Sequence, residues 1–147
     1  MSTRLFSSVA VGDEIDALVI PITRTLIVSG ALASRDYQDV HHDAKLALER
    51  GSPDIFMNIL TTNGLVGRYI TDWSGPGGFL RKVEIRLGAP NYPDDIMTLT
   101  GHVTEVADDV HDPDRGQVVI GVVGANSIGN HVVGTVTLTL PKNEVIG

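Results

Sequence analysis

The sequence predicts an α+β domain in which one long helix packs against a mostly antiparallel β-sheet. Over residues 54–72, apolar side chains recur at three- and four-residue spacing, as they do on one face of a helix. Four later segments favour strands, because their apolar and polar residues alternate or β-branched residues dominate them. These segments are residues 81–87, 96–106, 117–125 and 132–140. Within the third, residues 118–123 are apolar on both faces, which is typical of a central strand.

Start and stop signals define the helices. Residues 52–54 (Ser-Pro-Asp) combine a cap residue, a proline at the first turn and an acid near the positive end of the helix dipole. Residues 74–78 (Ser-Gly-Pro-Gly-Gly) stop the long helix. Before it, Asp43 is a candidate N-cap for a short helix over residues 44–50.

The first third of the chain is predicted to be extended and then irregular. Residues 15–29 are rich in Val, Ile, Leu and Thr, with Pro21 among them, which favours one or two strands near a sheet edge. Residues 34–43 are polar and have no clean period, so we expect a loop there.

Length and composition narrow the classes of protein to consider. The 147 residues fit a single domain, residues 1–147, and 42% hydrophobic with 20% charged residues is typical of a globular protein. The absence of cysteine excludes disulfides, thiolate metal ligands and thiol nucleophiles, and it fits a reducing cytoplasm. We find neither an export signal at the start nor the roughly 18 consecutive apolar residues of a membrane span. The net charge of −7 argues against nucleic acid, and a polyanionic ligand would need local basic residues or a basic patch from another subunit.

Asp36 and His41 are five residues apart, a spacing that neither regular element brings together. Five residues of helix separate two side chains by roughly 140°, and an odd separation in a strand puts them on opposite faces. A loop allows them to converge, and turn-prone Asp39 lies between them. A carboxylate beside an imidazole can hold a water molecule, take its proton and deliver a proton elsewhere near neutral pH. The alternative interpretation is a merely solvated connection.

A metal site in the same loop is a second alternative. His41 and His42 lie between Asp39 and Asp43, and all four are possible ligands. Metal coordination by carboxylates and imidazoles needs a fixed geometry that this run does not display. We therefore predict no metal.

The run over residues 33–43, Ala-Ser-Arg-Asp-Tyr-Gln-Asp-Val-His-His-Asp, resembles the motif of the MaoC-like family of (R)-specific enoyl-CoA hydratases. That motif carries an Asp and a His five residues later, usually with Asn-Pro between them and an acid two residues after the His. Residues 11–14 (Val-Gly-Asp-Glu) are similar to the lead-in of these domains, and the resemblance extends over about residues 11–140. It implies a single hotdog fold, in which an antiparallel sheet wraps a long central helix.

The resemblance also implies a reaction. The chain is expected to add water to a trans-2-enoyl-CoA thioester and to yield a (3R)-hydroxyacyl-CoA. Asp36 and His41 are the expected catalytic residues, with the roles of base and acid left open between them. No cofactor is expected, because coenzyme A is part of the substrate.

Two further segments narrow the resemblance to one branch of the family. Residues 54–61 (Asp-Ile-Phe-Met-Asn-Ile-Leu-Thr) and 69–76 (Tyr-Ile-Thr-Asp-Trp-Ser-Gly-Pro) are similar to the small subunit of MaoC-like hydratases that act on steroid side-chain enoyl-CoA thioesters in cholesterol-degrading bacteria. There the small subunit supplies the Asp and His to a heterotetramer with a larger MaoC-like subunit; a homodimer is the alternative. In this branch Gln38 and Asp39 replace Asn-Pro, so the contribution of that Asn comes from a longer amide or is absent.

The resemblance suggests further site residues. In the family a Gly at the position of Asn58 donates its backbone N–H to the thioester oxygen, and Asn58 is expected to use its own backbone N–H. The first N–H groups of a helix starting at Asp54 would suit a developing anion there. Candidates for contact with the substrate and its phosphates are Gln38, Arg68, Arg81, Lys82 and Arg86.

Two rival functions stay open at this point. Some hotdog proteins are acyl-CoA thioesterases that use an acid on the central helix as a base, and Asp54 is the candidate for that role. The other rival is a non-catalytic partner that only shapes a shared acyl-CoA tunnel. Such a partner has no need of Asp36 and His41, so an enoyl-CoA hydratase is the prediction.

Overall fold

A computed structural model describes residues 2–143 of the chain. Five strands form one antiparallel sheet in the order β1-β3-β4-β5-β2. The strands are β1 (Glu14–Ile22), β2 (Phe79–Leu87), β3 (Asp95–Asp108), β4 (Arg115–Ala125) and β5 (Asn130–Pro141). The helices are α1 (Arg24–Ala33), α2 (Ala44–Glu49) and α3 (Ile59–Ser74), with short 3-10 turns at Phe6–Ser8 and Asp39–His41.

The sheet follows the sequence pattern closely. All four strands predicted in the second half of the chain are present, and β4 lies at the centre of the five, as its apolar character on both faces predicted. Val118 and Ile120 on β4 are fully buried. Strand β2 ends the sheet, so within residues 2–143 its outer edge has no strand partner. No helix in that range is long and apolar enough to cross a membrane.

Helix α3 packs its apolar face into the core, as its periodicity predicted. Val66 and Ile70 are fully buried, and the buried Tyr69 hydroxyl donates a 3.2 Å hydrogen bond to the Ile15 carbonyl. Burial, and then the charge of Asp16, raise the pKa of Tyr69 to about 12, so this group stays a neutral donor. The long helix therefore lies against one face of the sheet.

The prediction that residues 15–29 are extended throughout is wrong in its second half. Strand β1 ends at Ile22, and α1 begins directly after Thr23, whose side-chain oxygen accepts a 3.0 Å hydrogen bond from the Leu26 N–H group. This N-cap satisfies a donor that would otherwise be free. Ile27 and Ala31 on α1 are fully buried. Burial of this face outweighs the β-propensity of its Val and Ile residues.

The predicted start of the long helix at Asp54 is also wrong. Helix α3 begins at Ile59, and Asn58 is its N-cap. The segment before it is extended, because its backbone donors serve other parts of the chain: the Phe56 N–H donates to the Val40 carbonyl and the Met57 N–H to the Asn91 carbonyl. Local side-chain hydrogen bonds around Asp54 favour a turn over a helix start.

Helix α1 approaches α3 closely at a glycine. A Cβ atom on Gly30 would lie 2.9 Å from Thr61 Cγ2 and 3.1 Å from Thr61 Cβ. Thr61 is β-branched and held on a helix, so it has little freedom to move aside. Asp36 follows the end of α1, and Asn58 precedes Thr61 at the start of α3. The close contact between the two helices therefore limits the distance between Asp36 and Asn58.

We expect Gly30→Ala to destabilise the protein. Overpacking costs about 1–3 kcal/mol, against about 1 kcal/mol gained from the helix propensity of Ala. Gly64→Ala is the matched control, because a Cβ there meets no atom within 4 Å, and we expect it to raise the free energy of unfolding by up to about 1 kcal/mol. Denaturant unfolding measures both; equal stabilisation by the two substitutions would contradict the close contact.

Candidate functional site

Asp36 is presented by the turn that ends α1. Arg35 has a positive φ of 57°, in the left-handed region, and the Asp36 N–H donates a 2.9 Å hydrogen bond to the Ala31 carbonyl. The Arg35 N–H donates to the Leu32 carbonyl, which completes a Schellman motif with Arg in place of the usual Gly. The carboxylate is thus carried by a defined helix end, and its side chain is 21% exposed.

His41 lies in the 3-10 turn Asp39–His41 and is nearly buried, at 7% exposed. Its Nδ1 is 2.7 Å from the Phe56 carbonyl oxygen, and its ring meets the Phe56 ring edge to face at 5.0 Å between centroids. Asp39 forms a 2.7 Å ion pair with Arg50, and this contact connects the turn to the end of α2. Hydrogen bonding from Arg50 holds the pKa of Asp39 below its ordinary value.

The structure brings the predicted pair together: His41 Nε2 lies 3.4 Å from Asp36 Oδ2. Only a protonated Nδ1 can donate to the Phe56 carbonyl, so in the neutral ring Nε2 carries the lone pair. Two lone-pair atoms facing each other at this distance repel unless a hydrogen lies between them. The lone pair of His41 Nε2 therefore faces the Asp36 carboxylate, where a donor such as water can bind to both atoms.

Asn58 is the third member of the site and is 2% exposed. Its Nδ2 donates a 3.0 Å hydrogen bond to Asp36 Oδ2, a contact that sequence reasoning missed. Within residues 2–143 its backbone N–H has no hydrogen-bond acceptor, and it lies at the start of α3. The predicted backbone donor is thus at a helix N-terminus, although that helix starts at Ile59 and not at Asp54.

The other candidate residues lie outside this contact. Gln38 meets Asp36 only through its backbone N–H, at 3.4 Å from Oδ1. The amide side chain that reaches Asp36 therefore comes from Asn58, 22 residues further along the chain. His42, next to His41, is exposed, and its Nε2 donates a 3.1 Å hydrogen bond to the Tyr37 carbonyl.

The basic candidates mostly pair with acids of the same chain. Three such ion pairs are present: Arg68–Asp72 at 3.3 Å, Arg81–Asp109 at 3.5 Å and Lys82–Glu84 at 2.8 Å. The fourth candidate, Arg86, has no ion pair within the described part of the chain. It lines a groove of about 590 Å³ between α3 and β2, together with Ile59, Asn63, Val83, Glu84, Ile85, Val133 and Gly134. Ile59 directly follows Asn58, whereas Asp36, His41 and Asn58 themselves do not line this groove.

The position of Asp54 differs from the one that the thioesterase alternative requires. Asp54 does not lie on the central helix, and its carboxylate is held by both terminal nitrogens of Arg24, at 2.9 and 2.7 Å. That hydrogen bonding keeps the pKa of Asp54 low. Between residues 2 and 143, no group of three or more His, Cys, Asp or Glu side chains is arranged to hold a metal ion.

A buried histidine outside the pair supports the structure around α3. His131 Nδ1 donates a 2.7 Å hydrogen bond to the Ala89 carbonyl, so its Nε2 accepts from the Thr62 hydroxyl at 2.8 Å. Burial lowers the pKa of His131 and keeps the ring neutral. This residue fastens the first turn of α3 to β5.

Known proteins resemble the chain in sequence and in fold. No family model matches it. The 3-oxo-4,17-pregnadiene-20-carboxyl-CoA hydratase beta subunit of Mycobacterium tuberculosis is 50% identical over 116 residues, which are 79% of this chain and 84% of that protein. A chain in the crystal structure of the ChsH1–ChsH2 complex from the same species is 46% identical, with a TM-score of 0.80 over 89% of this chain and 98% of that one.

More distant structures share the architecture. The MaoC-like dehydratase from Rhodospirillum rubrum has a TM-score of 0.81 at 21% identity, over 97% of this chain and 99% of that one. The (R)-hydratase from A. caviae has a TM-score of 0.79 at 18% identity, over 91% and 98%. These likenesses confirm the predicted hotdog fold. With half of the aligned residues identical over 79% of its length, the chain belongs to the family of the 3-oxo-4,17-pregnadiene-20-carboxyl-CoA hydratase beta subunit.

Proposed function

We propose that this chain is the catalytic subunit of a hydratase that adds water to a steroid side-chain 2-enoyl-CoA thioester. The main observation behind the proposal is the contact between His41 and Asp36. Nδ1 of the nearly buried His41 binds the Phe56 carbonyl, and Nε2 faces the Asp36 carboxylate at 3.4 Å. The substrate class follows the name of the relative that is 50% identical, a 3-oxo-4,17-pregnadiene-20-carboxyl-CoA hydratase subunit.

Hydration needs one group that takes a proton from water and one group that gives a proton to C2 of the acyl chain. In the proposed cycle His41 Nε2 starts with a proton that faces Asp36 Oδ2 at 3.4 Å, while Asp36 Oδ1 accepts only a long hydrogen bond and is free to bind water. Oδ1 removes a proton from that water as its oxygen bonds to C3 of the acyl group. His41 Nε2–H then delivers a proton to C2, and transfer across the pair restores the starting state. The product is the (3R)-hydroxyacyl-CoA, and no cofactor takes part.

The addition places negative charge on the thioester oxygen, which the site must stabilise. The Asn58 backbone N–H is the donor we assign to that oxygen, because it is free within the described chain and stands at the N-terminus of α3. The 16 residues of α3 align their peptide dipoles toward the same point. Arg86 is our candidate for the coenzyme A phosphates.

A larger MaoC-like subunit completes the site in this proposal. The groove that Ile59 lines is bounded by β2, the strand with an unpaired outer edge, and the net charge of the chain is −7. A partner that covers this edge would close the groove and add the basic surface that coenzyme A phosphates require. We place the complex in the cytoplasm, as the cysteine-free sequence suggests.

A hydration assay of the complex tests the proposal. With its larger MaoC-like subunit, we expect the chain to convert 3-oxo-4,17-pregnadiene-20-carboxyl-CoA into a product heavier by one water, and to do so faster than it converts linear enoyl-CoA. The loss of the conjugated thioester absorbance and the product mass measure the reaction. Release of free coenzyme A without hydration would indicate a thioesterase and contradict the proposal. Equal activity of the isolated chain would contradict the need for a partner.

A further inference from the structure

The side chain of Asn58 joins three parts of the site, and the hydratase chemistry proposed above does not use it. Its Oδ1 accepts a 3.0 Å hydrogen bond from the Thr61 N–H, which caps α3. Its Nδ2 donates to Ser34 Oγ at 2.9 Å and to Asp36 Oδ2 at 3.0 Å. One buried amide therefore links the start of α3, the end of α1 and the carboxylate.

The orientation of this amide is determined by its partners. The Thr61 N–H can only donate, so it must face Oδ1. The Ser34 hydroxyl gives its hydrogen to the Gly30 carbonyl at 2.7 Å, so its oxygen is left to accept from Asn58. The remaining hydrogen on Nδ2 then points at Asp36. All three hydrogen bonds of the Asn58 amide are therefore assigned. A flip that exchanged Oδ1 and Nδ2 would break them.

We propose that the Asn58 side chain is a positioning residue for Asp36, which rests on the proposed hydratase function. Its N–H group holds Oδ2 on the His41 side and leaves Oδ1 free for water. The contact is a hydrogen bond to a charged acceptor, which fixes the orientation of the carboxylate more firmly than a bond to a neutral group would. This role is separate from that of the Asn58 backbone N–H, which any residue at this position would retain.

Few other side chains would satisfy the same contacts. An Asp at this position would cap α3 equally well, but it would place a second carboxylate against Asp36 with no hydrogen to donate. A Ser would also cap the helix, but its shorter side chain would not reach Asp36. These two substitutions therefore keep the helix cap and remove the link to the carboxylate.

The test uses Asn58→Ser and Asn58→Asp in the complete complex. We expect Asn58→Ser to lower kcat/KM about 10–100-fold, the range for loss of a hydrogen bond to a charged group, with most of the loss in kcat. The acid limb of the pH profile should move to higher pH, since the carboxylate loses its donor. Asn58→Asp should move it further, because the added charge favours protonation of the pair.

Asn126→Ser is the matched control, because Asn126 is a partly buried amide with the same pattern of contacts and bonds to neither Asp36 nor His41. Its Nδ2 donates to Pro90 O and Asn91 Oδ1, and its Oδ1 accepts from Ile128 N–H. We expect this variant to lose stability but to keep the wild-type pH profile. If the Asn58 variants behave like this control, the side chain is only structural and the inference fails.

A measurement without substrate separates this inference from the proposed function. The carboxyl ¹³C shift of Asp36, followed against pH, should have its midpoint at higher pH in Asn58→Ser than in the wild type. No movement would overturn the inference even if the wild-type complex is an active hydratase. Movement in a complex without hydratase activity would support the positioning contact and refute the proposed reaction instead.

Discussion

Asp36→Asn is expected to lower the rate of enoyl-CoA hydration about 10²–10⁴-fold, which corresponds to about 3–5 kcal/mol of barrier. The amide keeps nearly the same shape but cannot take a proton from water. Its oxygen can still accept the hydrogen bond that Asn58 donates, so the local fold should persist. Steady-state kinetics of the purified complex, together with its unfolding midpoint, measure both effects.

Asp112→Asn is the control for this substitution. Asp112 accepts a 3.0 Å hydrogen bond from the Asp114 N–H between β3 and β4, outside the hydratase motif, and the side-chain oxygen of Asn can accept the same bond. The same loss of one negative charge should therefore leave turnover close to that of the wild type. Full hydratase turnover in Asp36→Asn would refute the role assigned to the carboxylate.

His41→Asn should abolish most of the activity while it preserves the fold. The Nδ2 of Asn takes the place of His41 Nδ1 and can donate to the Phe56 carbonyl, so the anchoring contact survives. The atom that faces Asp36 is lost, and an amide neither accepts nor delivers a proton near neutral pH. We expect turnover to fall about 10²–10⁴-fold, as for removal of a general acid or base.

The exposed neighbour provides the comparison for this variant. His42→Asn removes an imidazole that contacts only the Tyr37 carbonyl among the described residues, and we expect little change in turnover. Thermal unfolding distinguishes a chemical effect from a folding defect in both variants. Turnover within about tenfold of the wild type in His41→Asn would contradict a proton-transfer role.

The acid–base pair was predicted from the resemblance of residues 33–43 to the hydratase motif, and the spacing of Asp36 and His41 indicated only that a loop must bring them together. The structure confirms that the two converge, with Asp36 after a helix end and His41 in a 3-10 turn. The contact between Asn58 and Asp36 could not be predicted in this way, because 22 residues separate them and no local periodicity links them. One signal was available: Asn is a favoured N-cap, and Asn58 stands before the buried run of α3.

The starts of α3 and α1 were both predicted wrongly, and for related reasons. Residues 52–54 combine three helix-start signals, yet α3 begins later because the Phe56 and Met57 N–H groups donate to distant carbonyls. Residues 24–33 have β-propensity, yet they form α1, which packs Gly30 against Thr61 of α3. Long-range contacts outweighed local preference in both places.

The sequence by itself determined the strands, the buried face of the long helix and the loop that carries the acid–base pair. These features depend on periodicity and on neighbouring residues, which a linear chain displays directly. Only the tertiary structure decided where α1 and α3 begin, which nitrogen of His41 is free and which amide holds Asp36. Each of these depends on a hydrogen bond between segments far apart in the chain, and such partners are chosen only when the chain folds.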